Sequence, residues 1–109
     1  MDFRVAWSPE ALEDVEAIAA YIARDSAFYA SAVVERMLAT ARNLAHFPFS
    51  GPITPEWNDE TIRERLVYSY RLIYRVNAEE STVTIAAVIH GRRLANPIKD
   101  RFGGNEPSV

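Results

Sequence analysis

Hydrophobic residues recur along this chain at two spacings. From Phe3 to Trp7, Phe3, Val5 and Trp7 alternate with Arg4 and Ala6, the two-residue period of a strand that buries one face. Ser8 and Pro9 come next. A serine at the cap with proline at the first helical position marks a helix start, because the proline lacks only a donor that the helix would leave unbonded. Glu10, Glu13 and Asp14 favour the positive end of that helix, and Leu12, Val15, Ala19 and Ile22 fall on one of its faces, which predicts a helix running to Arg24. Asp25 and Ser26 can cap a second helix whose apolar stripe is Tyr29, Val33, Met37, Ala41 and Leu44 and which ends before Pro48. So short a linker forces the two helices into an antiparallel hairpin.

A loop with Pro48, Gly51, Pro52 and Pro55 follows, unable to continue a helix or a central strand. Beyond it Ile62 to Val67, Tyr70 to Val76 and Val83 to His90 are rich in β-branched and aromatic residues and are separated by polar turns at Tyr68–Ser69 and Asn77–Ser81. Turns this short make the three strands an antiparallel meander. The order strand, helix, helix, strand, strand, strand predicts an α+β fold in which the helical hairpin covers one face of a largely antiparallel four-stranded sheet. The other face is expected to stay open, and function is expected there. Residues 1–102 form one domain, and the small and polar residues of 103–109 are expected to fray.

Composition narrows the chemistry. The chain has 109 residues, 49% of them hydrophobic, which suits a single core. It has no cysteine, so disulfides and thiolate chemistry are excluded, and its two histidines, His46 and His90, are too few for an ordinary structural zinc site. Met1 to Trp7 lacks the regions of a signal peptide, and no apolar run approaches the roughly 18 residues of a membrane span. The expectation is a soluble cytoplasmic protein with neither cofactor nor metal. Gly-rich phosphate loops, nucleophile elbows and HExxH or EF-hand patterns are all missing.

Charge is distributed unevenly. Residues 1–61 carry 4 Arg and 10 acidic residues, a net −6, whereas residues 62–109 carry 7 Arg, 1 Lys and 5 acidic residues, a net +3. Either an anionic partner meets the second half, or the segregated charge merely serves solubility. Alternation places Arg63 and Arg65 on one face of their strand, and Arg71 and Arg75 on one face of the next, so the four guanidinium groups are expected to cluster. Their forks of donors suit phosphates or carboxylates. The competing reading is a set of solvated strand faces paired with acids such as Glu64, Glu79 and Glu80. His90 is the one candidate for proton transfer, although a histidine at a strand end more often makes a structural hydrogen bond. Gly91 permits a turn there, and Arg92 and Arg93 extend the basic surface. Tyr68, Tyr70 and Tyr74 could form a base-stacking platform, but Tyr70 and Tyr74 read better as core, as does Trp7, whereas Trp57 reads as an exposed contact.

Trp7-Ser8-Pro9 before an acidic helix, the segment from Leu44 through Pro48 to Gly51, Ile62-Arg63-Glu64, Tyr70-Arg71-Leu72-Ile73-Tyr74-Arg75-Val76 and Val88-Ile89-His90-Gly91-Arg92-Arg93 together resemble the ParE/RelE superfamily of plasmid-stabilisation toxins. The resemblance covers about residues 3–95 and implies a type II toxin with a cognate antitoxin, a short and partly disordered protein that folds along the toxin. It also implies one of two activities. RelE-like members cut messenger RNA in the ribosome, and for them Arg63, Arg65, Arg71 and Arg92 match the basic set that holds the phosphate. Their tyrosine near the C-terminus does not carry over, since no tyrosine follows Tyr74, and only His90 could substitute. ParE-like members inhibit DNA gyrase by binding. The long helical hairpin and the pI near 5.3 favour that branch, in which Arg63, Arg65, Arg71, Arg75, His90, Arg92 and Arg93 contact target or antitoxin and no sequence-specific DNA binding is expected. A relative that only binds its antitoxin is the third possibility.

Overall fold

A computed structural model describes residues 2–91 and 95–102. Strand β1 (Arg4–Trp7) leads into helices α1 (Pro9–Ala23) and α2 (Ala27–Asn43), followed by strands β2 (Ile62–Val67), β3 (Tyr70–Asn77) and β4 (Thr82–His90) and a 3-10 helix, Asn96–Phe102. Both helices start on the predicted caps. Ser8 Oγ accepts the Ala11 N–H at 3.1 Å ahead of Pro9, and Ser26 Oγ accepts the Tyr29 N–H at 3.0 Å. Among the described residues no helix is long and apolar enough to cross a membrane.

The sheet order is β1-β4-β3-β2, with β1 parallel to β4 and the other neighbours antiparallel. The hairpin lies on one face. There Ala11 and Val15 of α1 and Val33, Met37, Ala41 and Leu44 of α2 pack on Val67, Leu72, Tyr74, Val76, Val83, Ile85 and Val88. Two residues of the predicted stripes depart from it, since Leu12 and Tyr29 are exposed. On α1 the buried line runs through Ala11, Val15, Ile18 and Ile22, because the small Ala11, fully buried, lets the first turn approach the sheet and rotates Leu12 outward.

The second face is not open, contrary to the expectation from sequence. Ile62, Ile73, Ala87 and Ala95 are buried there beneath Trp57, Ile89, Ile98 and Phe102, so Trp57 is a half-buried packing residue, its ring meeting that of Phe102 edge-on at 5.0 Å. The covering 3-10 helix has little apolar content and no amphipathic period, which is why periodicity does not reveal it. Residues 103–109, expected to fray, lie outside the described residues.

Side chains complete what the strands leave unpaired. β1 ends at Trp7 while β4 runs on to His90, and the stretch of β4 that β1 leaves unpaired is taken up by α1 and the 3-10 helix. Asp14 Oδ2 accepts the Val88 N–H at 3.0 Å and a bond from Arg101 at 2.7 Å, and the same Arg101 nitrogen donates to the Ala86 carbonyl at 3.1 Å. The proline-rich loop is tied at Gly51, whose N–H donates to the buried Tyr74 hydroxyl at 3.1 Å. A Cβ at Gly51 would collide with the Glu64 backbone oxygen and stand 2.9 Å from the Tyr74 hydroxyl. Gly51→Ala should therefore cost at least ~2 kcal/mol in denaturant unfolding, as overpacking against rigid backbone does. An unchanged midpoint would show that the loop is not held to the sheet at this point.

Candidate functional site

The strand register decides where the arginines point. Arg63 and Arg65 pair across with Tyr74 and Leu72, so they lie on the helix-covered face, whereas Arg71 and Arg75 pair with Leu66 and Ile62 on the opposite face. The predicted cluster of four is therefore two pairs separated by the sheet. Each guanidinium is held by groups of the fold itself. Arg63 donates to the carbonyls of Glu60 at 2.9 Å, Gly51 at 3.0 Å and Phe49 at 3.3 Å, and lies over the Phe49 ring at 5.0 Å. Arg65 reaches Ser50 Oγ at 3.0 Å and Asn43 Oδ1 at 3.4 Å, joining β2 to the end of α2. Arg75 donates to the Phe102 carbonyl at 3.4 Å and lies 5.1 Å from that ring.

Arg71 is the most constrained. It is 7% exposed. Its terminal nitrogens meet both oxygens of Glu56 at 2.7 and 2.8 Å, a fork-to-fork contact, while its Nε donates to Glu64 Oε1 at 2.7 Å. Glu56 also accepts the Ala95 N–H at 3.1 Å, so one carboxylate fastens the loop, β3 and the chain past β4 together. Hydrogen bonding from Arg71 holds the Glu56 carboxyl at about 2, outweighing the upward push of burial. The same contact, led by Glu56, keeps Arg71 protonated above its ordinary range. The pairing with Glu64 considered from sequence is present. Glu56 was not foreseen as a partner, because a carboxylate in an irregular loop carries no periodic signal.

His90 ends β4, is exposed, and its ring stands edge-on to that of Tyr70 at 5.6 Å. With Tyr21, Ile18, Val88 and Ile89 the two line a cleft of about 640 Å³ between α1 and the sheet. Arg92 and Arg93, the remaining basic candidates, lie outside the described residues.

The ParE toxin of type II toxin–antitoxin systems, as found in parDE, matches the chain by its family model over residues 5–95. The chain belongs to this toxin family. Its fold is that of the ParE/RelE superfamily. The chromosomal ParDE system of P. aeruginosa superposes with a TM-score of 0.65 at 16% identity, over 81% of this chain and 95% of that one. The RelBE2 toxin–antitoxin complex of Mycobacterium tuberculosis gives 0.59 at 25% identity, over 83% and 99%. A mutant of the E. coli toxin RelE in the free state gives 0.64 at 17% identity, over 93% and 94%. No curated protein sequence matches the chain. ParE and RelE relatives thus share this toxin's architecture, and architecture alone does not assign its target.

The Glu56–Arg71 contact has a signature in acid. Folded Glu56 keeps its charge down to about 2, whereas the unfolded carboxyl takes up a proton near 4.5. Its contribution is thus complete above pH 4.5 and lost as pH falls through 2. Glu56→Gln should lower stability by about 2–3 kcal/mol at pH 7, because it removes the carboxylate that meets both terminal nitrogens of a buried guanidinium, and should flatten the loss of stability between pH 5 and 2. Parallel acid limbs for variant and wild type, measured by urea unfolding, would assign that slope to other carboxylates.

Proposed function

We propose that this toxin arrests growth by binding a protein target, DNA gyrase, and that a cognate antitoxin neutralises it. The observation that carries the reading is the state of Arg71. A phosphate-binding arginine must offer its fork to the anion, but here two carboxylates occupy it and leave the group with a net negative charge. A nuclease would also need Arg63 and Arg65 beside Arg71, and the sheet stands between them. A binder needs no such convergence. Helices of 15 and 17 residues and a pI near 5.3 further support the gyrase-directed branch over one that must engage ribosomal RNA.

An antitoxin is supported by the family, and by the RelBE2 neighbour, which is a toxin–antitoxin complex. Such a partner could dock by strand addition at a sheet edge or by apolar contacts on the helical hairpin. If it covers the arginines with acidic residues, its affinity falls as salt rises.

Pulse labelling within minutes of inducing the chain without its antitoxin tests the reading. Early loss of DNA synthesis with an SOS response is expected, together with inhibition of supercoiling by purified toxin. Growth arrest retained in His90→Gln would exclude His90 as a catalytic acid or base. Early loss of translation with cleaved messages, abolished by His90→Gln in a folded protein, would instead support a ribosome-dependent nuclease.

A further inference from the structure

Two stretches of chain cover the second face of the sheet, and side chains rather than a strand ladder hold them there. The first is the tip of the proline-rich loop, with Glu56 and Trp57. It leaves β2 at Thr54, whose N–H donates to the Ile62 carbonyl at 3.1 Å, and returns at Asp59, whose carbonyl accepts the Ile62 N–H at 2.9 Å. The second is the chain from Ala95 to Phe102, which among the described residues makes no backbone hydrogen bond to the sheet. Its start is fastened by the Ala95 N–H to Glu56 at 3.1 Å, and its end by Arg101, which reaches Asp14 of α1 at 2.7 Å and the Ala86 carbonyl at 3.1 Å. Phe102 adds its ring against Trp57 at 5.0 Å and its carbonyl to Arg75 at 3.4 Å. The Glu56–Ala95 and Trp57–Phe102 contacts tie the two stretches to each other, so one cannot lift without breaking both ties or taking the other with it.

We propose that the loop tip and the 95–102 chain form a two-part clasp that opens and closes as one body over the second face of the sheet. Closed, it buries Ile62 on β2, Ile73 on β3 and Ala87 on β4, an apolar strip across three adjacent strands. Ion contacts fasten its two sides, Glu56 to Arg71 and Arg101 to Asp14. The contacts between those fastenings are mostly apolar and fade over a gap of about an ångström, so releasing either side lowers the cost of lifting the whole cover. Segments held in this way open at lower cost than core ladders. The pairings of β2 with β3 and of β3 with β4 do not run through the clasp, and the helical hairpin packs on the opposite face, so the open state keeps the sheet and its main core. Opening uncovers the strip and takes the Glu56 carboxylate from Arg71 in the same step. This device belongs to the fold and holds whichever macromolecule the toxin engages.

Native-state hydrogen exchange of the full chain tests the coupling. Asn58 N–H, bonded to the Thr54 carbonyl at 2.9 Å, reports on the loop, and Ile98 N–H, bonded to the Ala95 carbonyl at 3.0 Å, reports on the second stretch. Both should exchange faster than the amides of the β3–β4 ladder. Arg101→Gln breaks the fastening on α1 and β4, touches neither reporter, and should fold because Arg101 is partly exposed. It should speed both reporters by the same factor, at least fivefold. Acceleration at Ile98 alone means that the two stretches open separately and overturns the proposal, as does no acceleration at either. The chain has no cysteine, so a single introduced thiol measures the uncovering itself. Ala87→Cys, beneath the clasp, should react with a thiol reagent at least tenfold faster than Ala41→Cys, beneath the hairpin. Should the added sulfur prevent folding, Ile73→Cys removes bulk at the same face and carries the comparison. Equal rates on the two faces would mean that the cover lifts only when the whole protein unfolds, and the clasp is then discarded.

Discussion

A buried arginine held between two carboxylates organises the second face of the sheet. Arg71 on β3 can sit at 7% exposure only because Glu56 and Glu64 supply three close acceptors. Burying a charge without such partners would cost more than the packing around it returns. Glu56 in turn belongs to a loop with no secondary structure of its own, and through Ala95 it holds the chain where it leaves β4. The cover over the second sheet face, with Trp57, Ile98 and Phe102, therefore depends on one ion contact as well as on apolar contacts. Arg71 thus joins the loop, β3 and the chain past β4 into one unit.

Turn length explains the separation of the arginines. Side chains alternate along a strand, so which face an arginine shares with residues across a hairpin depends on the number of residues in the turn. With Tyr68 and Ser69 as the turn, Leu66 falls opposite Arg71 and Arg65 opposite Leu72. Adding or removing one residue would put all four guanidinium groups on one face. Alternation within each strand was readable from the sequence, but register between strands was not, and that is where the prediction of a single cluster failed.

The rest of the fold was legible to the extent that it was periodic. The Ser8-Pro9 and Ser26 caps, the two helices and the meander follow from local chemistry and apolar spacing, and the family resemblance is carried by the same blocks. What escaped was aperiodic. The 3-10 helix, Glu56 and the Asp14–Arg101 pair act through contacts between residues far apart in sequence, which spacing cannot express. Tyr68 was visible as a residue but not as a strained one, since only the backbone shows that a tyrosine has taken a glycine's place.

The end of β4 bears on how such a toxin survives alone. A sheet strand that outruns its neighbour presents bare amides and carbonyls, a template on which other chains can polymerise. Asp14, Ser8 and Arg101 fill that template with side chains from a helix, its cap and the 3-10 segment. Filled in this way, those positions on β4 are closed to strand addition by a second chain.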